Sequence, residues 1–271
     1  MESDATRDGI ATYRAAPSGP CVATLLFAHG YAESASRHEA TFTYLASHGI
    51  AVETFDLPGH GASAGTRGFV RRFDDVVAFM RGERERLRAL RPGTPLFAGG
   101  YSLGGLLAVR SAQADPDGLA GVVLVAPGLG VARSVPPLMR RIGVAFGDVA
   151  PHVPVARLSV RALRPDEPLV TAASNRMGRD PLIPARTAAE SIRASAAAFS
   201  EAASWRVPAL IVHGERDAVV PLSGPRRFAQ RTGRDDVTLH VVPNGHHDLL
   251  TGPAGDAVRA EIAAWIRARS R

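Results

Sequence analysis

Residues 95–109, PLFAGGYSLGGLLAV, constrain the fold of this chain more than any other stretch. An apolar run stops at two glycines, a serine follows, and a helix-forming run rich in Leu and Ala comes next. Gly100, Ser102 and Gly104 give the pattern G-x-S-x-G. A serine on a tight strand-to-helix turn has strained backbone angles, and side chains two residues before or after it would collide with the turn. The stretch therefore predicts a nucleophilic serine, although an unreactive glycine-rich turn can have the same sequence pattern.

Strand-like and helix-like runs alternate along most of the chain. The strand-like runs are residues 22–28, 50–55, 121–126, 207–213 and 237–242, and the helix-like runs are 41–47, 71–90, 225–231 and 256–267. Residues 9–15 alternate apolar and polar side chains and suit an edge strand. Strands that alternate with helices form a mainly parallel sheet with helices on both faces. The predicted fold class is therefore α/β.

Residues 127–204 interrupt this alternation. The segment is rich in Pro, Arg and Ala and contains no convincing strand. Pro136 and Pro137 suit the start of a helix, and apolar residues recur around them at helical spacing: Val135, Leu138, Met139, Ile142 and Phe146. We predict a helical cap over the carboxyl edge of the sheet, without a second sheet. Residues 128–204 are the predicted cap, and residues 1–127 and 205–271 are the predicted core.

Composition limits the partners and the chemistry. No apolar run approaches the ~20 residues that a membrane span needs. The single cysteine, Cys21, excludes an internal disulfide and leaves no cysteine cluster for a metal. The acidic and polar first residues lack the basic-then-apolar order of a secretion signal, so a cytoplasmic protein is predicted.

The charge of the chain does not predict a nucleic-acid partner. The net charge of +6 comes from 32 basic residues, all of them arginine, against 26 acidic ones. The densest basic stretch, residues 81–88, is interleaved with Glu83 and Glu85, which is typical of a solvated helix face with ion pairs. We expect no nucleic-acid partner, and the sequence leaves the oligomeric state open.

Two loops after predicted strands carry groups that would activate Ser102. A serine hydroxyl is a poor nucleophile unless a base takes its proton and an acid orients that base. Asp217 follows the strand at 207–213, and His246 and His247 follow the strand at 237–242. The chain order Ser, Asp, His is that of the α/β-hydrolase arrangement. Each residue alone suits an ordinary loop, but together they predict a serine hydrolase with a Ser-Asp-His triad.

Further motifs carry a family resemblance over nearly the whole chain. They are HGYAESASR at 29–37, DLPGHGASAG at 56–65 with RG at 67–68, GYSLGG at 100–105 and DPL at 180–182. As a set they resemble the monoacylglycerol lipase and lysophospholipase branch of the α/β-hydrolases, also described as serine aminopeptidase-like. The resemblance implies an α/β-hydrolase fold and hydrolysis of a lipid-like carboxylic ester through an acyl-enzyme, without metal or cofactor. It implies a small ester or lipid as partner and is compatible with transient membrane-surface contact.

The resemblance also implies roles within the site. The backbone N–H groups of Tyr31 and Leu103 are the expected oxyanion hole. The branch ends with Pro-Gly-x-x-His-Glu-Leu, which aligns His247 with the catalytic histidine and Asp248 with the Glu. Many other α/β-hydrolases have Gly-His in this loop, and that order would favour His246. We predict His247 as the base.

The substrate is less constrained than the reaction. Met139, Ile142 and Phe146 are predicted to line an acyl-chain site, although the same residues could simply pack the cap onto the core. Leu250 lies three residues after His247, where relatives that grip glycerol can have histidine. A plain esterase or a lysophospholipase therefore stays an alternative to a monoacylglycerol lipase.

Two readings outside the esterases stay open. A proline-type aminopeptidase would need an acidic group in the cap to hold a free amino terminus, and Asp166, Glu167 and Asp180 qualify by charge. A non-catalytic binding protein on the same fold is disfavoured because all three triad groups are present.

Overall fold

The structure, a computed structural model, describes residues 1–130, 136–159, 163 and 181–270. Its strands are β1 (Glu2–Arg7), β2 (Ile10–Ala15), β3 (Ala23–Ala28), β4 (Ile50–Phe55), β5 (Leu96–Tyr101), β6 (Gly121–Val125), β7 (Pro154–Arg157), β8 (Leu182–Pro184), β9 (Ala209–Gly214) and β10 (Val237–Val242). The central sheet has eight strands in the order β1-β2-β4-β3-β5-β6-β9-β10. In this order, every pair of neighbouring strands from β4 onward is parallel. At the other edge, β1 pairs antiparallel with β2, and β2 pairs antiparallel with β4.

Helices cover both faces of this sheet. They are α1 (Glu39–Ser47), α2 (Phe73–Leu90), α3 (Leu103–Ala114), α4 (Pro137–Val149), α5 (Ala185–Ser200), α6 (Ser223–Thr232) and α7 (Gly255–Ala268). Side chains alternate along a strand, so β3 sends Leu26 into the apolar cluster beneath α2 and α3 and Phe27 into the cluster beneath α1 and α7. The α/β prediction is confirmed.

The predicted strands and helices of the core coincide with the observed ones to within about two residues. One prediction is wrong: β2 is not the edge strand, because β1 pairs along its outer side. The β1 sequence, ESDATR, has no apolar alternation, and the strand forms by backbone pairing with β2. Sequence periodicity therefore gave no signal for it.

The insert after β6 contains strands as well as helices. Helix α4 begins at Pro137, as the two prolines predict. Strands β7 and β8 form a separate antiparallel pair of four and three residues, so the prediction of an insert without a second sheet is wrong. Strands this short do not show enough alternation to be recognised. Val135 lies outside the described residues.

Helix α5 joins the insert to the core. At its start, Gly147 of α4 lies close to Ala185 and Ala189. Toward its end, Ala194 and Ala198 belong to the apolar cluster beneath α2 and α3. The limits of the cap at residues 128 and 204 stay a prediction, and the second half of α5 packs as part of the core.

Candidate active site

Ser102 lies at the turn between β5 and α3. Its backbone angles, φ 52° and ψ −115°, are ones that residues with a side chain rarely adopt. A Cβ on Gly100 would stand 2.2 Å from the carbonyl oxygen of Gly104, and a Cβ on Gly104 would stand 2.1 Å from that of Ala28. Close backbone approach therefore requires both glycines, and the turn holds the serine side chain at the carboxyl edge of the sheet.

The side chains of Ser102, His247 and Asp217 form a hydrogen-bonded chain. His247 Nε2 lies 2.9 Å from Ser102 Oγ, and His247 Nδ1 lies 2.7 Å from Asp217 Oδ2. Both distances fall in the range of a nucleophile, base and orienting acid in contact. The histidine and the aspartate are buried, and the serine is half-buried. The folding of the chain thus brings together three residues from loops that are far apart in sequence.

The carboxylate of Asp217 has several further partners. Its Oδ1 accepts the backbone N–H groups of Val219 and Val220, each at 2.8 Å. Burial raises the pKa of this carboxyl, but the hydrogen bond and charge of His247, together with the Val220 N–H, outweigh it and hold the pKa below its usual range. The ionised carboxylate accepts the Nδ1 proton of His247, which leaves Nε2 as the acceptor facing Ser102.

His213 contacts Asp217, and the sequence analysis did not predict this contact. Its Nε2 lies 2.9 Å from the carbonyl oxygen of Val220 and 3.3 Å from Oδ2 of Asp217. Burial lowers the pKa of this imidazole, so it is neutral near pH 7 and donates from Nε2. Its position four residues before Asp217, at the end of β9, was the available signal.

His246 occupies a different position from its neighbour. Its Nδ1 lies 3.3 Å from the carbonyl oxygen of Arg216, and its side chain is half-exposed. Geometry thus places His247, and not His246, between Ser102 and Asp217.

The loop after β3 lies beside the start of α3. His29 donates from Nδ1 to the carbonyl oxygen of Gly30 at 2.7 Å and accepts the Leu57 N–H on Nε2 at 3.0 Å. Both ring nitrogens therefore form hydrogen bonds with the backbone, and burial lowers the pKa of this histidine. Leu103 is the first residue of α3, where backbone N–H groups have no partner within the helix.

The apolar residues predicted in the cap are exposed. Met139, Ile142 and Phe146 lie on α4 with 55%, 52% and 42% of their surface accessible. None of the three side chains is fully buried. Their role in substrate binding stays a prediction. The acidic candidates of the cap, Asp166, Glu167 and Asp180, lie outside the described residues.

Neither a cluster of metal ligands nor a membrane-spanning helix is present among the described residues. Within these ranges, no three His, Cys, Asp or Glu side chains are grouped as metal ligands. None of the helices in this part of the chain is long and apolar enough to cross a membrane.

Comparison with known proteins adds the family. The profile of the family described as serine aminopeptidase, S33, matches residues 19–254. The chain belongs to this family. Membership confirms the resemblance seen in the motifs and, with the relatives below, identifies an ester hydrolase.

Relatives of this serine aminopeptidase family member include monoacylglycerol lipases. One from Mycolicibacterium smegmatis is 28% identical over 243 residues, which are 89% of this chain and 87% of the relative. The crystal structure of Paleococcus ferrophilus monoacylglycerol lipase has a TM-score of 0.79 at 26% identity and covers 95% of this chain and 99% of its own. A soluble variant of Saccharomyces cerevisiae monoglyceride lipase, in complex with a substrate analogue, shares the fold: its TM-score is 0.77 at 17% identity, over 100% and 97% of the two chains.

Proposed function

We propose that this protein is a serine hydrolase that cleaves the carboxylic ester of a lipid-like substrate, a monoacylglycerol or lysophospholipid, through an acyl-enzyme. The observation that carries the proposal is the chain of contacts from Ser102 Oγ through His247 to Asp217. It supplies a nucleophile, a base and an orienting acid at the carboxyl edge of a parallel sheet, where such sheets have their sites.

The reaction has two halves that use the same groups. Ser102 Oγ attacks the ester carbonyl carbon while His247 Nε2 takes the hydroxyl proton, and the developing oxyanion accepts the backbone N–H groups of Tyr31 and Leu103. Donors of this kind typically lower the barrier by ~3–4 kcal/mol each. His247 then gives the proton to the leaving alcohol oxygen. A water activated by His247 hydrolyses the acyl-serine, and Asp217 holds the imidazole throughout.

The lipid-like substrate is supported by the relatives and by the cap. Monoacylglycerol lipases match along almost the whole chain. Met139, Ile142 and Phe146 give α4 an exposed apolar side, and Arg140 and Arg141 lie beside it. An apolar helix side flanked by arginine suits transient contact with a lipid surface. Through this contact the cap delivers an acyl chain to Ser102. The cytoplasmic location stays a prediction from the sequence.

A substrate panel tests the function. We would measure turnover of monoacylglycerols, lysophospholipids and simple esters of increasing acyl length by the wild-type protein, with Ser102→Ala as the control. The proposal requires ester turnover that depends on Ser102 and labelling of Ser102 by a fluorophosphonate probe. A folded wild-type protein that neither turns over any ester nor reacts with the probe would instead be a binding protein on this fold.

The family description favours aminopeptidase activity as a second candidate. The acidic group that would hold a free amino terminus has its sequence candidates, Asp166, Glu167 and Asp180, outside the described residues. Parallel assays on p-nitrophenyl esters and aminoacyl-anilides separate the two activities. Cleavage of the anilides at rates above those of the esters would replace the esterase proposal.

A further inference from the structure

A network of buried charged side chains connects the loop after β3 to the loop that carries His247. Glu33 Oε2 accepts the backbone N–H of Gly30 at 3.2 Å and lies 3.0 Å from Nε2 of His38. Arg37 Nε lies 2.9 Å from Glu33 Oε1, and Arg37 Nη2 lies 2.6 Å from Oδ2 of Asp248. One guanidinium group thus contacts the carboxylates of both loops, although Arg37 and Asp248 are 211 residues apart in sequence.

Each end of this network lies one residue from a group that acts in the proposed reaction. Gly30 directly precedes Tyr31, whose backbone N–H is proposed for the oxyanion hole. Asp248 directly follows His247, the proposed base. Asp248 is itself fixed by Thr251, whose Oγ1 lies 2.6 Å from Oδ2 and whose backbone N–H lies 3.1 Å from Oδ1. A shift at either end would therefore move a reacting group directly.

An aromatic ring lies between the two loops. Tyr101, the residue before Ser102, packs its ring 5.5 Å from that of His38 and 5.2 Å from that of His247. Its buried hydroxyl has no hydrogen-bond partner in the described part of the chain. The ring thus acts as an apolar spacer, and the polar connection between the loops runs through Arg37.

The charges are too buried to be a solvated surface pair. The side chains of Glu33 and Asp248 are 7% and 1% exposed, and that of Arg37 is 25% exposed. Burial raises the pKa of the Glu33 carboxyl, but His38 and Arg37 outweigh it and hold the pKa below its usual range. Desolvating such charges costs several kcal/mol per ion, so the gain from pairing them is small compared with an apolar packing of the same volume. Their arrangement does fix one geometry.

We infer that Arg37 is a positioning residue for the ester hydrolysis. It sets the separation between the loop that presents the Tyr31 N–H and the loop that presents His247, and so keeps the oxyanion hole and the base in register with Ser102. The inference rests on the proposed function. It concerns the geometry of the reacting groups, so it predicts a loss in kcat that is separate from any loss in stability.

The test uses Arg37→Ala and Arg37→Lys in the full chain, with a p-nitrophenyl ester as substrate. Misplacing reacting groups by an ångström costs up to about a hundredfold in rate, so we expect kcat to fall by about tenfold to a hundredfold with KM changed much less. The rate of fluorophosphonate labelling at Ser102 should fall in parallel. Millimolar methylguanidinium should restore part of kcat in Arg37→Ala, since it fills the vacated position.

The lysine variant keeps the test valid if the alanine variant does not fold. Lysine retains the positive charge, but its single nitrogen cannot take the place of both Nε facing Glu33 and Nη2 facing Asp248. We expect Arg37→Lys to fold and to keep the kcat defect without rescue by methylguanidinium.

Arg91→Ala is the matched control. Arg91 Nη2 lies 2.9 Å from the buried Glu53, at the amino end of the strands and away from Ser102. This variant should lose melting temperature to a similar degree and keep kcat. Arg37 variants that keep kcat within about twofold of wild type, or an equal kcat loss in Arg91→Ala, would overturn the inference. If the wild-type protein itself neither hydrolyses esters nor reacts with the probe, the proposed function has failed instead.

Discussion

Tyr31 donates its hydroxyl hydrogen to the backbone carbonyl of Leu182 across 2.7 Å, which ties the loop after β3 to strand β8 of the cap. On the other side of the site, the backbone N–H of Asp248 lies 3.3 Å from the carbonyl oxygen of Leu163. The cap therefore contacts both loops that flank Ser102. The side chain of Tyr31 holds the cap, while its backbone N–H is the group proposed to bind the oxyanion.

Tyr31→Phe should separate these two roles. The variant loses the hydrogen bond to Leu182, a net contribution of about 0.5–1.5 kcal/mol, but keeps the backbone N–H. We expect faster hydrogen exchange in β7 and β8, measured by mass spectrometry, and turnover of a short ester close to that of wild type. Tyr44→Phe on α1 is the control and should leave exchange in the cap unchanged. Loss of short-ester turnover in Tyr31→Phe would show that the hydroxyl itself acts in the reaction.

Ser102→Ala and Asp217→Asn should each reduce ester turnover by more than about a thousandfold while the protein stays folded. Loss of the nucleophile, or of the carboxylate that sets the tautomer of the base, typically costs ~10⁴ or more in kcat. Turnover would be measured with a p-nitrophenyl ester and folding by thermal melting. Asp236→Asn, an aspartate that pairs with Arg234, is the control and should keep full activity. Normal turnover in a folded variant removes that residue from the mechanism.

His60 should make the stability of the protein depend on pH. It donates from Nδ1 to the carbonyl oxygen of Pro58 at 2.9 Å, and burial lowers its pKa to about 3. An unfolded histidine binds its proton near pH 6.5, so the unfolded state takes up a proton that the folded state does not. The free energy of unfolding should therefore fall as the pH drops below about 6.5, by up to ~1.4 kcal/mol per pH unit, until about pH 3.

His60→Asn tests this dependence because the amide can still donate to Pro58 but does not titrate. Thermal melting at pH 7 and pH 5 should show a smaller loss of stability in the variant than in wild type. His240→Asn is the control, since His240 is an exposed histidine beside Glu261. An unchanged pH dependence in His60→Asn would mean that other groups cause the acid sensitivity.

The elements that could be predicted from the sequence are those with a local physical signal. The buried parallel strands are continuous apolar runs. The turn at Ser102 has no room for a side chain at Gly100 or Gly104, and both glycines are visible in the sequence. The closeness of Asp217 and His247 followed from a topological rule, because the carboxyl ends of parallel strands meet at one sheet edge.

The remaining features depend on pairing between distant residues. Strand β1 is polar and is held by backbone bonds to β2, so its own sequence carries no pattern. The contact of Arg37 with Asp248 joins residues 211 positions apart, and no spacing within either loop indicates it. His213 was visible as a residue, but its contact with Asp217 depends on how the chain turns after β9.

Met139→Asp and Ile142→Asp should weaken turnover of long-chain esters and leave acetate-ester turnover near that of wild type. Each methylene of an acyl chain contributes ~0.8 kcal/mol where an apolar wall covers it, so a charge on that wall acts only on long substrates. Because both side chains are about half-exposed, thermal melting should change little. Leu90→Asp is the control, since Leu90 is as exposed as Met139 but lies at the end of α2. Equal loss for both substrates would indicate damage to the cap instead.

The choice between the two adjacent histidines is decided by a pair of variants. His247→Ala should behave like Ser102→Ala, because His247 Nε2 lies 2.9 Å from Ser102 Oγ. Among the described residues, no other side chain is placed to accept the proton of the serine hydroxyl. His246→Ala should keep most of kcat, since its ring faces the carbonyl of Arg216, and it should alter only KM or melting temperature. Both would be assayed on one short ester. An inactive His246→Ala beside an active His247→Ala would place the base one residue earlier in the loop.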